Sequence, residues 1–310
     1  MFKKIAIAFA AITALLLLFV LFLRPDLSLS AEEVKIRVSQ PSSKFTTWKG
    51  NQIHYTDEGN GPVILMLHGF GGSFYNFQAI TDQLKGEYRI IRVDLPGMGM
   101  SDFKQSSGMP DFFEEYKDFF TTFLNQIKVD SMYVMGNSLG GAMACLVAAE
   151  HPEKVKKLIL LNSAGYEMEK IIVKGAGPVR WNWFRPFLKK GVPMSVVEYS
   201  VTYPFADRSK VDKTEFPIDF ALVNKKGNVN ALFDLATSGQ EPDTTLMKTI
   251  QCPTLIIWGK EDVIIPVEHA QKFKRDIPNS EVKIYSPCGH MPMMEIPESI
   301  VADFKRFTAF

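Results

Sequence analysis

Val63–Leu67 reads VILML and Thr254–Trp258 reads TLIIW, short runs almost without a polar residue. A strand with one wet face alternates apolar and polar side chains, so an unbroken run must be covered on both faces. That requirement points to central strands of a parallel sheet clothed by helices. The neighbouring segments fit. Strands are expected at Gln52–Asp57, Arg89–Val93, Ser131–Met135, Val155–Leu161 and Val282–Tyr285. Helices are expected at Phe74–Leu84, Pro110–Gln126, Leu139–Glu150, Val267–Asp276 and Pro297–Phe310. Strands alternating with helices imply an α/β fold with a mostly parallel sheet and helices on both faces. The interval 164–245 breaks the rhythm. It carries Trp181, Trp183, Phe184, Tyr199, Tyr203 and Phe205 among several prolines. It reads as a helical lid over the ligand-binding edge of the sheet, with its aromatics also forming a small core of their own.

Composition excludes several classes. With 46% apolar and 22% charged residues in a chain of 310, disorder, collagen and coiled coil are out. The 35 basic and 34 acidic residues give a net charge of +1. Lys3, Lys4 and Arg24 lie in the first 24 residues, which hold no acid, so the remaining chain has 32 basic against 34 acidic groups. Such a balance gathers no nucleic acid. The three cysteines, Cys145, Cys252 and Cys288, match neither a zinc pattern nor a disulfide framework.

Ile5–Leu23 is a run of 19 residues without charge, flanked by Lys3-Lys4 and Arg24-Pro25. At about 1.5 Å per helical residue it spans roughly the 30 Å hydrocarbon core of a bilayer. It is too long for the apolar stretch of a typical signal peptide, and the small-x-small site Ser28-Leu29-Ser30 lies well past its end. The expectation is an uncleaved anchor over residues 1–24, with cleavage and secretion as the alternative. The body of the protein then lies on the periplasmic or extracellular side. A polar spacer over 25–44 follows, then a core over 45–163 and 246–310, interrupted by the lid at 164–245.

The chemistry concentrates where Ser131–Met135 runs into Gly136-Asn137-Ser138-Leu139-Gly140-Gly141 and a helix begins. This is G-x-S-x-G between a strand and a helix, the setting in which the serine sits on a sharp turn with its hydroxyl exposed. The helix N-terminus there favours developing negative charge. Ser138 is therefore the expected nucleophile, and it needs a base. Of the five histidines, His54, His68, His151, His269 and His290, only His290 follows the last strand, in the chain order Ser…Asp…His. A carboxylate must orient it, and Glu261 and Asp262 both follow the strand TLIIW. The Leu139 N–H and an N–H from His68-Gly69-Phe70-Gly71-Gly72, at Phe70, are the expected oxyanion donors. That glycine loop lacks the spacing and the Lys-Ser/Thr of a phosphate cradle.

HGFGG, DLPGMGMS (Asp94–Ser101), GNSLGG, WGKEDVIIP (Trp258–Pro266) and CGHMPMMEIP (Cys288–Pro297) occur in that order across residues 45–310. Together they resemble the α/β-hydrolase family. The resemblance implies an eight-stranded, mostly parallel sheet with a helical cap inserted after the sixth strand. It also implies Ser138, Asp262 and His290 as a catalytic triad, with Phe70 and Leu139 as oxyanion amides. Among subgroups it is similar to membrane-anchored bacterial lipases and esterases with an HGFGG loop. GNSLGG also resembles the carbon–carbon hydrolases of aromatic ring cleavage. Those have a proline in the HGxG loop and a tryptophan after the catalytic histidine, where Gly72 and Met291 stand here.

The sequence holds no H-E-x-x-H and no ligand cluster at metal spacing, so neither metal nor cofactor is expected. Cys288 reads as a buried filler and the lysine runs as solvated faces. The expected activity is hydrolysis of a small, mostly apolar carboxylic ester, with Trp181, Trp183 and Phe184 of the lid as candidate substrate contacts. A carbon–carbon hydrolase and a non-catalytic membrane-tethered binding protein are the alternatives.

Overall fold

A computed structural model describes residues 24–103, 112–167, 190–237 and 244–309. The apolar run Ile5–Leu23 and the lid aromatics Trp181, Trp183 and Phe184 lie outside these described residues. Among the described residues, no helix is long and apolar enough to cross a membrane.

Eight strands form one sheet: β1 (Ser43–Trp48), β2 (Asn51–Glu58), β3 (Val63–Leu67), β4 (Arg89–Val93), β5 (Met132–Asn137), β6 (Val155–Leu161), β7 (Thr254–Gly259) and β8 (Ser280–Tyr285). Their order is β1-β2-β4-β3-β5-β6-β7-β8. β1 and β2 pair antiparallel, as do β2 and β4, and every other pair is parallel. The unbroken apolar runs are divided between two covered faces, as period two demands. Leu65, Leu67, Val134, Leu158, Leu160 and Ile256 pack on one side with Phe119, Phe120 and Phe123 of α3 (Phe112–Gln126) and with α4 (Leu139–Glu150). Ile64, Met66, Met135, Ile159 and Leu161 face the other side, against Ile80 and Leu84 of α2 (Gln78–Leu84) and Ile300 and Phe304 of the helix Pro297–Thr308. Each of these fully buried side chains contributes about 1.5–3 kcal/mol of burial energy.

Two elements differ from the sequence-based expectation. β1 is a polar edge strand, SKFTTW, with one water-facing edge and only Trp48 fully buried. Residues 25–44 are not a bare spacer. They contain α1 (Ala31–Val38), opened by a reciprocal capping box between Ser30 and Glu33. Val34 and Val38 are buried with Phe74 and Met100 of the core and with Ala221 and Leu222 of α6 (Phe216–Val223). α6 belongs to the cap after β6, with α5 (Met194–Thr202) and α7 (Asn228–Thr237). The parallel pairings bring the carboxyl ends of β3, β5, β6, β7 and β8 to one edge, and the chemistry-bearing loops leave from there.

Candidate active site

Ser138 joins the end of β5 to the start of α4 with φ 54° and ψ −122°. A positive φ in a residue bearing a Cβ costs about 1–3 kcal/mol and persists only where neighbours over-determine it. Here they do. Ser138 N–H donates to Leu161 O at 3.1 Å, and its carbonyl accepts from Gly141, Ala142 and Ala164 N–H at 2.9, 3.2 and 2.9 Å. The glycines of the motif allow the turn to close, since a Cβ on Gly140 would collide with the carbonyl of Leu67 at the end of β3. The same close approach brings in the loop after β3. A Cβ on Gly69 would lie 3.1 Å from Ser138 Cβ.

That loop is fixed by its histidine. His68 is buried, Leu95 N–H donates to its Nε2 at 3.0 Å, and its Nδ1 lies 2.7 Å from Gly69 O. The neutral ring protonated on Nδ1 satisfies both bonds, and burial pushes its pKa down, which favours that form. Gly72 N–H closes the turn on Gly69 O at 3.0 Å, and Gly71 N–H points to Met98 Sδ at 3.3 Å. Phe70 N–H and Leu139 N–H, the two expected oxyanion donors, have no hydrogen-bond acceptor among the described residues.

His290 Nδ1 lies 2.7 Å from Asp262 Oδ2, and their side chains are 6% and 0% exposed. Asp262 is over-supplied with donors. Ile264 and Ile265 N–H reach Oδ1 at 2.7 and 2.9 Å, and Asn162 Nδ2 reaches Oδ2 at 2.7 Å. Glu261 points elsewhere, accepting from Ser286 Oγ at 2.7 Å and Cys288 N–H at 2.9 Å. Those two bonds hold its carboxyl below the usual range. Asp262, not Glu261, therefore meets the imidazole.

Two asparagines join these loops to the strand ends, and sequence reasoning missed both roles. Asn137 is buried and donates from Nδ2 to Leu161 O at 3.1 Å and to His290 O at 3.0 Å. The residue before Ser138 thus holds the backbone of His290. Asn162, fully buried at φ 44°, donates to Asp262 and to Gly289 O at 3.2 Å, and accepts from Gly259 N–H at 3.2 Å. Its one available signal is its position directly after β6, on the active edge.

The remaining histidines are not drawn in. His54 pairs with the buried Asp94 at 2.8 Å and with Ser43 Oγ at 2.9 Å. Asp94 also receives Phe74 and Met100 N–H at 2.7 and 2.8 Å, so it braces the DLPGMGMS turn. His151 contacts Thr121, and His269 contacts Lys272. Cys288 is fully buried, and burial pushes its thiol up to about 12, as expected of a filler. No group of three potential metal ligands occurs among the described residues.

A family model described as the alpha/beta hydrolase fold matches residues 62–297. The chain belongs to this family. It is 32% identical over 268 residues to Lipase 1 of Psychrobacter immobilis, spanning 85% of this chain and 82% of that protein. It is 26% identical over 282 residues to a 2-hydroxy-6-oxo-6-phenylhexa-2,4-dienoate hydrolase of Burkholderia cepacia, spanning 82% and 92% of the two chains. Among solved structures, a bacterial membrane phospholipase A superposes with a TM-score of 0.73 at 23% identity, covering 99% of this chain and 97% of the other. That likeness speaks for the fold alone.

Proposed function

We propose that the protein is a serine hydrolase of carboxylic esters. The observation that carries this reading is the 2.7 Å contact of His290 with the buried Asp262, on the strand-end edge where Ser138 occupies its constrained turn. In this reading His290 Nε2 takes the Ser138 proton as Oγ attacks the ester carbonyl. Asp262 holds the proton on Nδ1 and stabilises the imidazolium that forms. Phe70 and Leu139 N–H receive the oxyanion, and His290 returns the proton to the leaving alcohol. Water, deprotonated by His290, then releases the acid from the acyl-enzyme. Lipase 1, the relative at 32% identity, supports an ester substrate.

Ser138→Ala tests the reading on p-nitrophenyl esters of increasing chain length. Loss of at least about a thousandfold in kcat is expected, and retained activity sinks it. Labelling of Ser138 by a fluorophosphonate separates an enzyme from a binding protein on the same fold. A second reading, carbon–carbon hydrolysis of a vinylogous dienoate, draws on the Burkholderia cepacia relative and on Asn137 before Ser138. Turnover of such a dienoate with negligible ester cleavage would favour it.

We propose further that Ile5–Leu23 tethers this hydrolase to a membrane. The strap after that run is hydrogen-bonded along the cap, so a tether there would hold the cap toward the bilayer. Arg24 donates to Gly191 O at 2.7 Å, Leu27 N–H to Lys190 O at 2.8 Å, and Leu29 N–H to Asn224 O at 2.8 Å. Full-length protein resisting carbonate extraction, with release on deletion of residues 1–23, is the expected result; extraction of both forms alike rejects the tether.

A further inference from the structure

Glu295, in the motif CGHMPMMEIP, is 4% exposed and has no part in the proton transfers above. Its Oε1 accepts from Gly289 N–H at 2.8 Å, immediately before His290. Its Oε2 accepts from Ala206 N–H at 3.0 Å and, more loosely, from Asp207 N–H at 3.5 Å. The Glu295 carbonyl receives Lys210 Nζ at 2.7 Å. His290 N–H itself donates to Pro204 O at 2.9 Å. The cap segment Pro204–Asp207 and the histidine loop are therefore in backbone contact, so close that a Cβ on Gly289 would lie 2.6 Å from Ala206 N.

One carboxylate thus collects amides from two segments that lie far apart in the chain. Bonds to a charged acceptor are stronger and more directional than neutral ones, and separating the segments would leave a buried charge without its donors. An apolar residue would fill the same space without desolvating a charge, so what the carboxylate adds is aim. We propose that Glu295 is a positioning residue for His290, holding the base in line for Ser138 while the cap is seated. The proposal rests on the reading of His290 as the general base.

The test uses the full chain, Glu295→Gln and Glu295→Asp, with p-nitrophenyl butyrate as substrate and active sites counted by fluorophosphonate titration. Glu295→Gln puts an NH2 where an acceptor oxygen faced backbone N–H. The expected result is a fall of about tenfold or more in kcat per titrated site, a KM within about twofold of wild type, and a displaced acidic limb of the kcat pH profile. Glu295→Asp keeps the charge and should recover part of the loss. A kcat per site within twofold of wild type, with an unmoved pH limb, overturns the proposal. Failure of both variants to give soluble protein with a cooperative melting transition assigns Glu295 to folding and overturns it equally. Ser138→Ala run in parallel keeps the two ideas apart. Its retained activity would sink the serine mechanism, whereas its inactivity beside unaffected Glu295 variants sinks only the positioning role.

Discussion

The side-chain amide of Asn162 donates at 2.7 Å to Oδ2 of Asp262, the oxygen that also lies 2.7 Å from His290 Nδ1. Asn162 holds this place at φ 44°, a conformation that asparagine tolerates better than most residues with a side chain. Asn162→Gly keeps the backbone geometry accessible and deletes the amide, so kcat on p-nitrophenyl acetate should fall about tenfold with the protein still folded. Asn162→Asp should be worse, because a second carboxylate would face Asp262 at hydrogen-bond distance and one of the two would be driven to take up a proton. Steady-state kinetics with melting curves on both variants check this. Equal activity in all three proteins would show that Asp262 needs no help from Asn162.

The two acids after β7 should separate cleanly. Asp262→Asn keeps the shape but favours the wrong imidazole tautomer, and kcat should drop by roughly 10⁴. Glu261→Gln alters a side chain that, among the described residues, bonds Ser286 and Cys288, and kcat should stay within about twofold of wild type, in line with surface substitutions generally. The same ester assay on both variants decides it, and a large loss in Glu261→Gln would contradict the geometry.

The parts of this site that declare themselves in sequence depend on short range. The GNSLGG turn, the glycine loop after β3 and the histidine after β8 are each legible because a strand runs directly into them. The sheet is legible for the same reason, since the apolar runs of β3 to β7 can only be buried. The missed features depend on distance or on polarity. Asn162 and Asp262 are 100 residues apart in the chain and meet only because β6 and β7 pair in parallel. Glu295 takes its meaning from Ala206, 89 residues earlier. β1 is polar because it lies at the sheet edge, where no second face demands apolar residues. α1 is short and strongly charged, yet the pair Ser30 and Glu33 spells a capping box that composition alone obscures.

Asp219 gives a pH signature in stability. It lies on α6 one turn after Glu215, and burial first, then the Glu215 charge, raises its pKa to about 7. The unfolded chain ionises this group near pH 4. Between those values the folded protein binds the extra proton, so stability from this site is fully present below about pH 4, declines as pH rises toward 7, and is flat above. Asp219→Asn removes the ionisation. It should raise the melting temperature more at pH 8 than at pH 4.5. Thermal unfolding at the two pH values measures the difference, and an identical shift at both would rule out Asp219 as its source.

The cap is fastened to the core by a buried cation. Lys225, 3% exposed, donates from Nζ to Asp102 Oδ1 at 2.7 Å, Ser101 O at 3.1 Å and Asn228 Oδ1 at 3.3 Å. Asn228 in turn donates to Gly99 O at 2.8 Å, so two cap residues three positions apart grip the DLPGMGMS turn. Lys225→Met preserves the aliphatic stem and removes all three bonds, leaving buried acceptors at Ser101 and Asn228 without a donor. The cost should be about 1–3 kcal/mol in urea unfolding. Asp102→Asn keeps an acceptor oxygen for Lys225 at a site already 29% exposed, and should cost less than Lys225→Met. The order of the two variants is the diagnostic result. If Asp102→Asn is the more damaging, the ion pair rather than the buried carbonyl contacts holds the cap in place.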